Sequence, residues 1–189
     1  MRALPGMVIL SPADAQEAYK MAFAVMDIDR PVYIRLSGGM ESPIIYKQNK
    51  DFILGKADKL TEGTDVAIVT TGLMVSESLR AAELLEAEGV FVSVYNFSTI
   101  SPLDTEALDE IFRKCKLVVT VEEHSSKGGL GGAVAEYRTG FVNMPPQIIL
   151  GLPDYFPKSG QPAFMWNEAG ISSDKIAGRV EAALRVLER

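Results

Sequence analysis

The chain of 189 residues predicts an α/β fold, a three-layer, mainly parallel sheet with helices on its two faces. Three observations lead there. The stretches "DVAIVTTG", "VFVSVYNF", "KLVVTVEE" and "PQIILGLPD" are rich in Val and Ile and lack polar alternation. Strands covered on both faces read this way. Between them run segments with apolar residues at helical spacing. Helical crossovers between such strands give parallel pairs with helices on the sheet faces.

The elements follow in order. "MVIL" (Met7–Leu10) and "PVYIRL" (Pro31–Leu36) read as strands, and "PADAQEAYKMAFAVM" between them reads as a helix. Asp14 suits its N-cap, and Glu17 three residues later completes a capping-box pattern. The stretch from Ser37 to Asp65, of mixed polarity with several glycines, reads as a connector with one or two short strands. "DVAIVTTG" is the next strand. "VSESLRAAELLEAEG" is a helix with Val75, Leu79, Ala82 and Leu85 on one face, closed by Gly89. "VFVSVYNF" precedes a helix over "SPLDTEALDEIFRK" with Pro102 in its first turn. "KLVVTVEE", a helix over "GGLGGAVAEYRTG" and "PQIILGLPD" follow. The last helix, "SSDKIAGRVEAALRVLER", turns Ile176, Val180, Leu184 and Leu187 inward.

Composition excludes several classes. A net charge of −6 argues against nucleic acid and anionic membranes as partners. Cys115 is the single cysteine, which excludes an intrachain disulfide and a cysteine-rich metal site. At the entry of an apolar strand it reads as a small core residue. No apolar run approaches the roughly 20 residues needed to span a bilayer. No signal peptide is legible at the N-terminus, so a cytoplasmic protein is the expectation.

The stretch "VEEHSSKGGLGGAVAE" (Val121–Glu136) holds the only histidine, His124, beside Glu122 and Glu123, and a run of glycines. A dinucleotide fingerprint would begin Gly129-x-Gly131, but its third position is Val134. Asp154 suits the acidic position of such a unit, yet "EEHSSK" parts the strand from the glycines. No Gly-Lys-Ser/Thr follows for a phosphate loop. Adjacent strand residues point to opposite faces, so Glu122 and Glu123 reach one ligand only across irregular backbone. No second histidine completes a common zinc set. Acid–base chemistry at His124 and a polar turn at a domain or subunit contact both remain open here. The glycines also suit close packing of a helix start against a neighbouring backbone, with Gly131 at the contact.

The stretches "LPGMVILSPADAQEA", "RPVYIRLSGG", "DVAIVTTGLMVSESLRAAELLEAEGVFVSVYNFSTISPLD", "VVTVEEHSSKGGLGGAVAE" and "GLPDYFPKSGQP…AGISSDKIAGRVEAAL" together resemble the C-terminal part of transketolases. They are also similar to 1-deoxyxylulose-5-phosphate synthases and the β subunits of 2-oxoacid dehydrogenases. The resemblance covers almost the whole chain. It implies that residues 1–37 are the end of a pyrimidine-binding domain, 38–50 a linker and 51–189 a transketolase C-terminal domain.

The family's Gly-Asp-Gly…Asn segment, which holds Mg²⁺ and the diphosphate, has no match here. The glutamate that protonates the aminopyrimidine would lie upstream of Met1. The resemblance thus implies thiamine diphosphate and Mg²⁺ in the complete enzyme, none bound by this chain alone, and no catalytic residue within it. In transketolases an arginine after "LS" grips the substrate phosphate; here Gly38 stands there. Arg35 matches an arginine of the strand end in the synthase relatives, which implies a substrate contact. Its residue type and place fit a strand-end salt bridge equally. His124 matches none of the family's substrate-contacting histidines. The resemblance further implies a homodimer or larger assembly and an N-terminal transketolase portion or subunit as partner. Such a chain transfers two-carbon ketol units only as part of a larger enzyme. A subunit-docking module in a synthase-like or 2-oxoacid-dehydrogenase-like enzyme is the alternative. The apolar positions Val8, Ile9, Leu10, Val32, Ile34 and Leu36 are expected to lie open, as strands parted from a larger sheet.

Overall fold

The computed structural model describes residues 1–37, 43–155 and 159–188. The first part of the expected linker, residues 38–42 with Gly38, lies outside them. In chain order the elements are β1 (Val8–Leu10), α1 (Ala15–Ala24), β2 (Val32–Ile34), β3 (Asp58–Lys59), β4 (Val66–Thr70), α2 (Met74–Ala87) and β5 (Val92–Asn96). Then come β6 (Thr99–Ser101), α3 (Thr105–Lys114), β7 (Leu117–Ser125), α4 (Leu130–Arg138), β8 (Gln147–Leu152), α5 (Pro162–Ala169) and α6 (Ser173–Leu187).

The main sheet has the order β3-β5-β4-β7-β8. Its four long strands are parallel, and β3 adds an antiparallel edge. Strand periodicity sorts the core into two layers. Val66 and Ile68 of β4 pack with Leu85 of α2 and Ile176 and Val180 of α6. Ala67 and Val69 of the same strand pack with Leu108 and Ile111 of α3 and Leu130 and Val134 of α4. The three-layer α/β architecture is therefore as the Val/Ile runs predict.

Several details differ from the sequence reading. Residues Thr99–Ser101 form β6, which pairs antiparallel with β1. The strands β2-β1-β6 thus make a second, small sheet. Val8, Ile9 and Leu10 are buried within the chain, because β6 supplies a neighbour from the C-terminal half. Of the positions expected to lie open, Leu36 does so, and the outer edge of β2 has no strand beside it among the described residues. Pro102 precedes α3 instead of entering its first turn, because Asp104 is the N-cap, accepting from Ala107 N–H. Leu187 is exposed at the last position of α6. Helix α5 has no counterpart in the sequence reading.

Two aspartates tie the connector down. Asp14 caps α1 by accepting Glu17 N–H, and its other oxygen accepts Ile45 and Tyr46 N–H at 2.9 and 3.0 Å. Asp104 accepts Ala57 N–H at 2.8 Å while capping α3. Glu17 departs from the simple capping box: its carboxylate takes the Ala13 N–H at 2.6 Å. It also takes the amide Nδ2 of Asn96, at 3.1 and 3.2 Å to its two oxygens. Asn96 belongs to β5, so this buried contact joins the two halves of the chain.

Burial pushes the Glu17 carboxyl above its ordinary value of 4.5, against the lowering effect of these hydrogen bonds. A carboxyl raised in the folded state holds its proton longer there than in the unfolded chain. Its contribution favours folding at low pH and is lost as pH rises above about 4.5. The melting temperature of the native chain should therefore fall, relative to that of Glu17→Gln, as the pH climbs through this range. Parallel Tm–pH curves for the two proteins would show that Glu17 has no such role.

Candidate functional site

The candidate site grows out of the end of β7. Its pairing with β8 is regular from Val118 to Val121, then the register shifts before Ser125 meets Leu152. Glu122, Glu123 and His124 occupy the irregular stretch. This is the backbone condition under which neighbouring residues serve one locality.

Glu122 is almost wholly buried. Its Oε2 accepts Leu130 N–H and its Oε1 accepts Gly131 N–H, both at 2.8 Å. These are first-turn donors of α4, which have no partner inside the helix. A carboxylate there is favoured by the hydrogen bonds and by the helix dipole. Two glycines make the approach possible. A Cβ on Gly129 would lie 1.9 Å from Glu122 Oε2, and one on Gly131 would lie 2.5 Å from Ile149 Cγ2 and 2.7 Å from Thr120 Oγ1. The glycine run thus seats a helix start on the sheet and on an internal carboxylate. Two N–H groups that a bound phosphate would use are already taken.

Glu123 turns elsewhere. Its Oε1 accepts the indole N–H of Trp166 at 2.9 Å, and its Oε2 lies 3.6 Å from Arg35 Nη2. The same Arg35 nitrogen donates to the Glu123 carbonyl at 2.7 Å. Arg35 follows β2, and its backbone N–H donates to Leu10 O at 2.8 Å. The salt bridge thus joins the small sheet to the large one. His124 is half exposed, with Nδ1 2.9 Å from the Ser125 carbonyl, so Nδ1 donates.

Arg35, Glu122, Glu123 and His124 border one recess between the two sheets. Tyr33, Ser11, Thr71 and Ile100 complete much of its wall. A smaller recess lies beside Glu17, Lys20, Tyr46 and Asp58. There Tyr46 donates to Asp58 at 2.8 Å and accepts from Asn96 at 2.8 Å. Burial pushes the Tyr46 hydroxyl far above its ordinary value. Cys115 sits buried at the end of α3, and burial pushes its thiol up, as befits a core residue.

Among the described residues no three His, Cys, Asp or Glu side chains gather closely enough to hold a metal ion. With Glu122 already on them, the Leu130 and Gly131 N–H groups do not fit the metal-bound diphosphate end of thiamine diphosphate. The irregular backbone that the sequence reading required for Glu122 and Glu123 to share a locality is present, but sequence reasoning did not find their partners. Trp166 stands 43 residues from Glu123, on a helix with no apolar stripe to reveal it.

Residues 55–176 match the family model for the transketolase C-terminal domain. A putative transketolase C-terminal section from Methanocaldococcus jannaschii is 36% identical over 183 residues, covering 95% of this chain and 56% of that protein. A 1-deoxy-D-xylulose-5-phosphate synthase from Caldanaerobacter subterraneus is 36% identical over 180 residues, covering 95% of this chain and 29% of that protein. A solved structure described as "Split gene transketolase, inactive beta4 tetramer" superposes with a TM-score of 0.92 at 37% identity, covering 98% of this chain and 60% of that one. The chain therefore spans little more than half of some relatives and under a third of others. With its three-layer sheet and a family match over residues 55–176, the chain belongs to the transketolase C-terminal domain family.

Proposed function

We propose that the chain is the C-terminal part of a thiamine-diphosphate-dependent, transketolase-like enzyme that transfers two-carbon ketol units. It serves assembly and has no complete active site of its own. The observation that carries this reading is the occupation of the α4 donors by Glu122, which leaves the glycine run a packing role. The likeness to a split-gene transketolase supports it. Thiamine diphosphate and Mg²⁺ are then held by an N-terminal transketolase portion or subunit, with residues 1–37 as the end of the pyrimidine-binding domain, 38–50 as linker and 51–189 as C-terminal domain. The cofactor supplies the carbanion chemistry. Arg35 is the substrate-binding residue of this chain, at the recess between the sheets.

The outer edge of β2, the exposed Tyr19 and Phe23 of α1 and Met26 just after it are the surfaces that a homodimer or larger assembly covers. No helix among the described residues is long and apolar enough to cross a membrane; a cytoplasmic location is part of the proposal. The likeness to a synthase favours one alternative, a subunit-docking module in a synthase-like enzyme.

The test is reconstitution with an N-terminal transketolase section. Two-carbon transfer should appear only in the mixture, and calorimetry of the chain alone with thiamine diphosphate and Mg²⁺ should give no saturable heat. Turnover or micromolar cofactor binding by the chain alone would overturn the proposal; a stable complex without transfer would favour the docking module. In the active mixture, Arg35→Ala should raise KM by about tenfold and lower kcat less. A charged hydrogen bond made equally in the ground and transition states affects mainly KM. Unchanged kinetics would leave Arg35 as a salt-bridge residue only.

A further inference from the structure

Trp166 is the only tryptophan of the chain. It is half-buried against the core layer beneath α2 and α6, and it is not among the residues that border the recess. Its indole N–H nevertheless reaches the recess indirectly, through Glu123. One oxygen of that carboxylate takes the indole at 2.9 Å and the other faces Arg35 Nη2 at 3.6 Å. The Glu123 carbonyl takes the same nitrogen at 2.7 Å. Among the described residues, the contacts of the Arg35 guanidinium with Glu123 both run through Nη2, which leaves Nε and Nη1 for a ligand.

The geometry points to Trp166 and Glu123 as positioning residues. We propose that the indole fixes the Glu123 carboxylate, and that carboxylate and carbonyl together hold the Arg35 guanidinium so that its free N–H groups take a phosphate-type oxyanion in the recess. Glutamate and arginine both have long, mobile side chains, and an unheld pair samples many rotamers. A guanidinium held at one nitrogen keeps its planar fork in a fixed orientation for an oxyanion. The proposal rests on the reading of Arg35 as a ligand contact, and it adds the device that aims it. It also gives α5 a task at the site, although α5 itself stands outside the recess.

The test is calorimetric titration of the chain with inorganic phosphate, with the fluorescence of Trp166 followed in parallel. Saturable binding is expected, with a change in emission that tracks occupancy, and it should vanish in Arg35→Ala. Trp166→Phe keeps a ring in the core and loses only the N–H. It should weaken phosphate binding about fivefold, the scale of one lost hydrogen bond, with the cooperative melt retained. Glu123→Gln gives an independent reading. Loss of a nearby negative charge alone would tighten phosphate binding; loss of positioning weakens it, because the new amide cannot both accept from the indole and attract the guanidinium. Absence of phosphate binding by the wild-type chain, or unchanged binding in Arg35→Ala, would overturn the reading of Arg35 and the proposal with it. Loss in Arg35→Ala with unaltered affinity in Trp166→Phe, or tighter binding in Glu123→Gln, would overturn the positioning role alone.

Discussion

Glu122→Leu should lower stability by about 2–5 kcal/mol, because it leaves two buried N–H groups without an acceptor. In a chain of this length that is a fall in melting temperature of roughly 5–15 °C. The carboxylate binds Leu130 and Gly131 N–H groups at 2.8 Å from a nearly sealed position. Leucine fills much of the volume and accepts nothing. Glu122→Gln should fall between the two proteins, since one amide oxygen can still accept while the amide nitrogen opposes a donor. Thermal melts of the three proteins provide the measurement. An unchanged melting temperature in Glu122→Leu would mean that solvent reaches these donors. The glycine run would then be open to a phosphate, and pyrophosphate binding would have to be measured directly.

Gly131→Val is the second large effect. The new Cβ alone would stand 2.5 Å from Ile149 Cγ2 and 2.7 Å from Thr120 Oγ1. Helix α4 must lift from β7 and β8, or both neighbours must leave their rotamers. Such overpacking typically costs about 1–3 kcal/mol. Lifting α4 also stretches the Gly131 N–H bond to Glu122, so the cost should reach the upper end of that range. Gly178 is the internal control. It lies within α6, is exposed, and an added Cβ there would meet nothing within 4 Å. Gly178→Ala should therefore stabilise the chain by about 0.5–1 kcal/mol through helix propensity. Melting temperatures that move in opposite directions would confirm that space decides the outcome at position 131. A Gly131→Val protein that melts like the wild type would show that α4 rests loosely on the sheet.

These glycines illustrate what the sequence made legible. Val66–Thr70, Val92–Asn96 and Leu117–Val121 read directly as buried strands because both their faces meet helices. Asp14 and Gly89 marked helix ends because caps impose local chemistry that no tertiary contact has to supply. Strand β6 escaped because three residues hold no periodicity; it exists because β1 offers a free edge. Helix α5 escaped because it has no buried residue to make a stripe, although Pro162 at its start and left-handed Gly170 after it are helix punctuation. At the site, the sequence identified Glu122, Glu123, His124 and Arg35 as residues of interest. It could not show that Glu122 binds a helix start eight residues on, or that Glu123 joins Arg35 to Trp166. Those pairings depend on a register shift in β7 and on the placement of α5, which are products of the assembled fold.

The pairing of β1 with β6 means that continuity of the backbone and continuity of the structure part company. Residues before the connector are stitched to those after it at many points: Ser11 N–H to Ser98 O at 2.8 Å, Ser101 Oγ to Met7 O at 3.0 Å, Asn96 to Glu17, and Arg35 to Glu123. A protease nick between Lys47 and Lys50 would sever the polymer and leave these stitches in place. The two fragments would migrate together until a denaturant parted them. The unit that folds here is therefore drawn by its hydrogen-bonded strands, and β6 on the far side of the connector belongs to the same small sheet as β1 and β2.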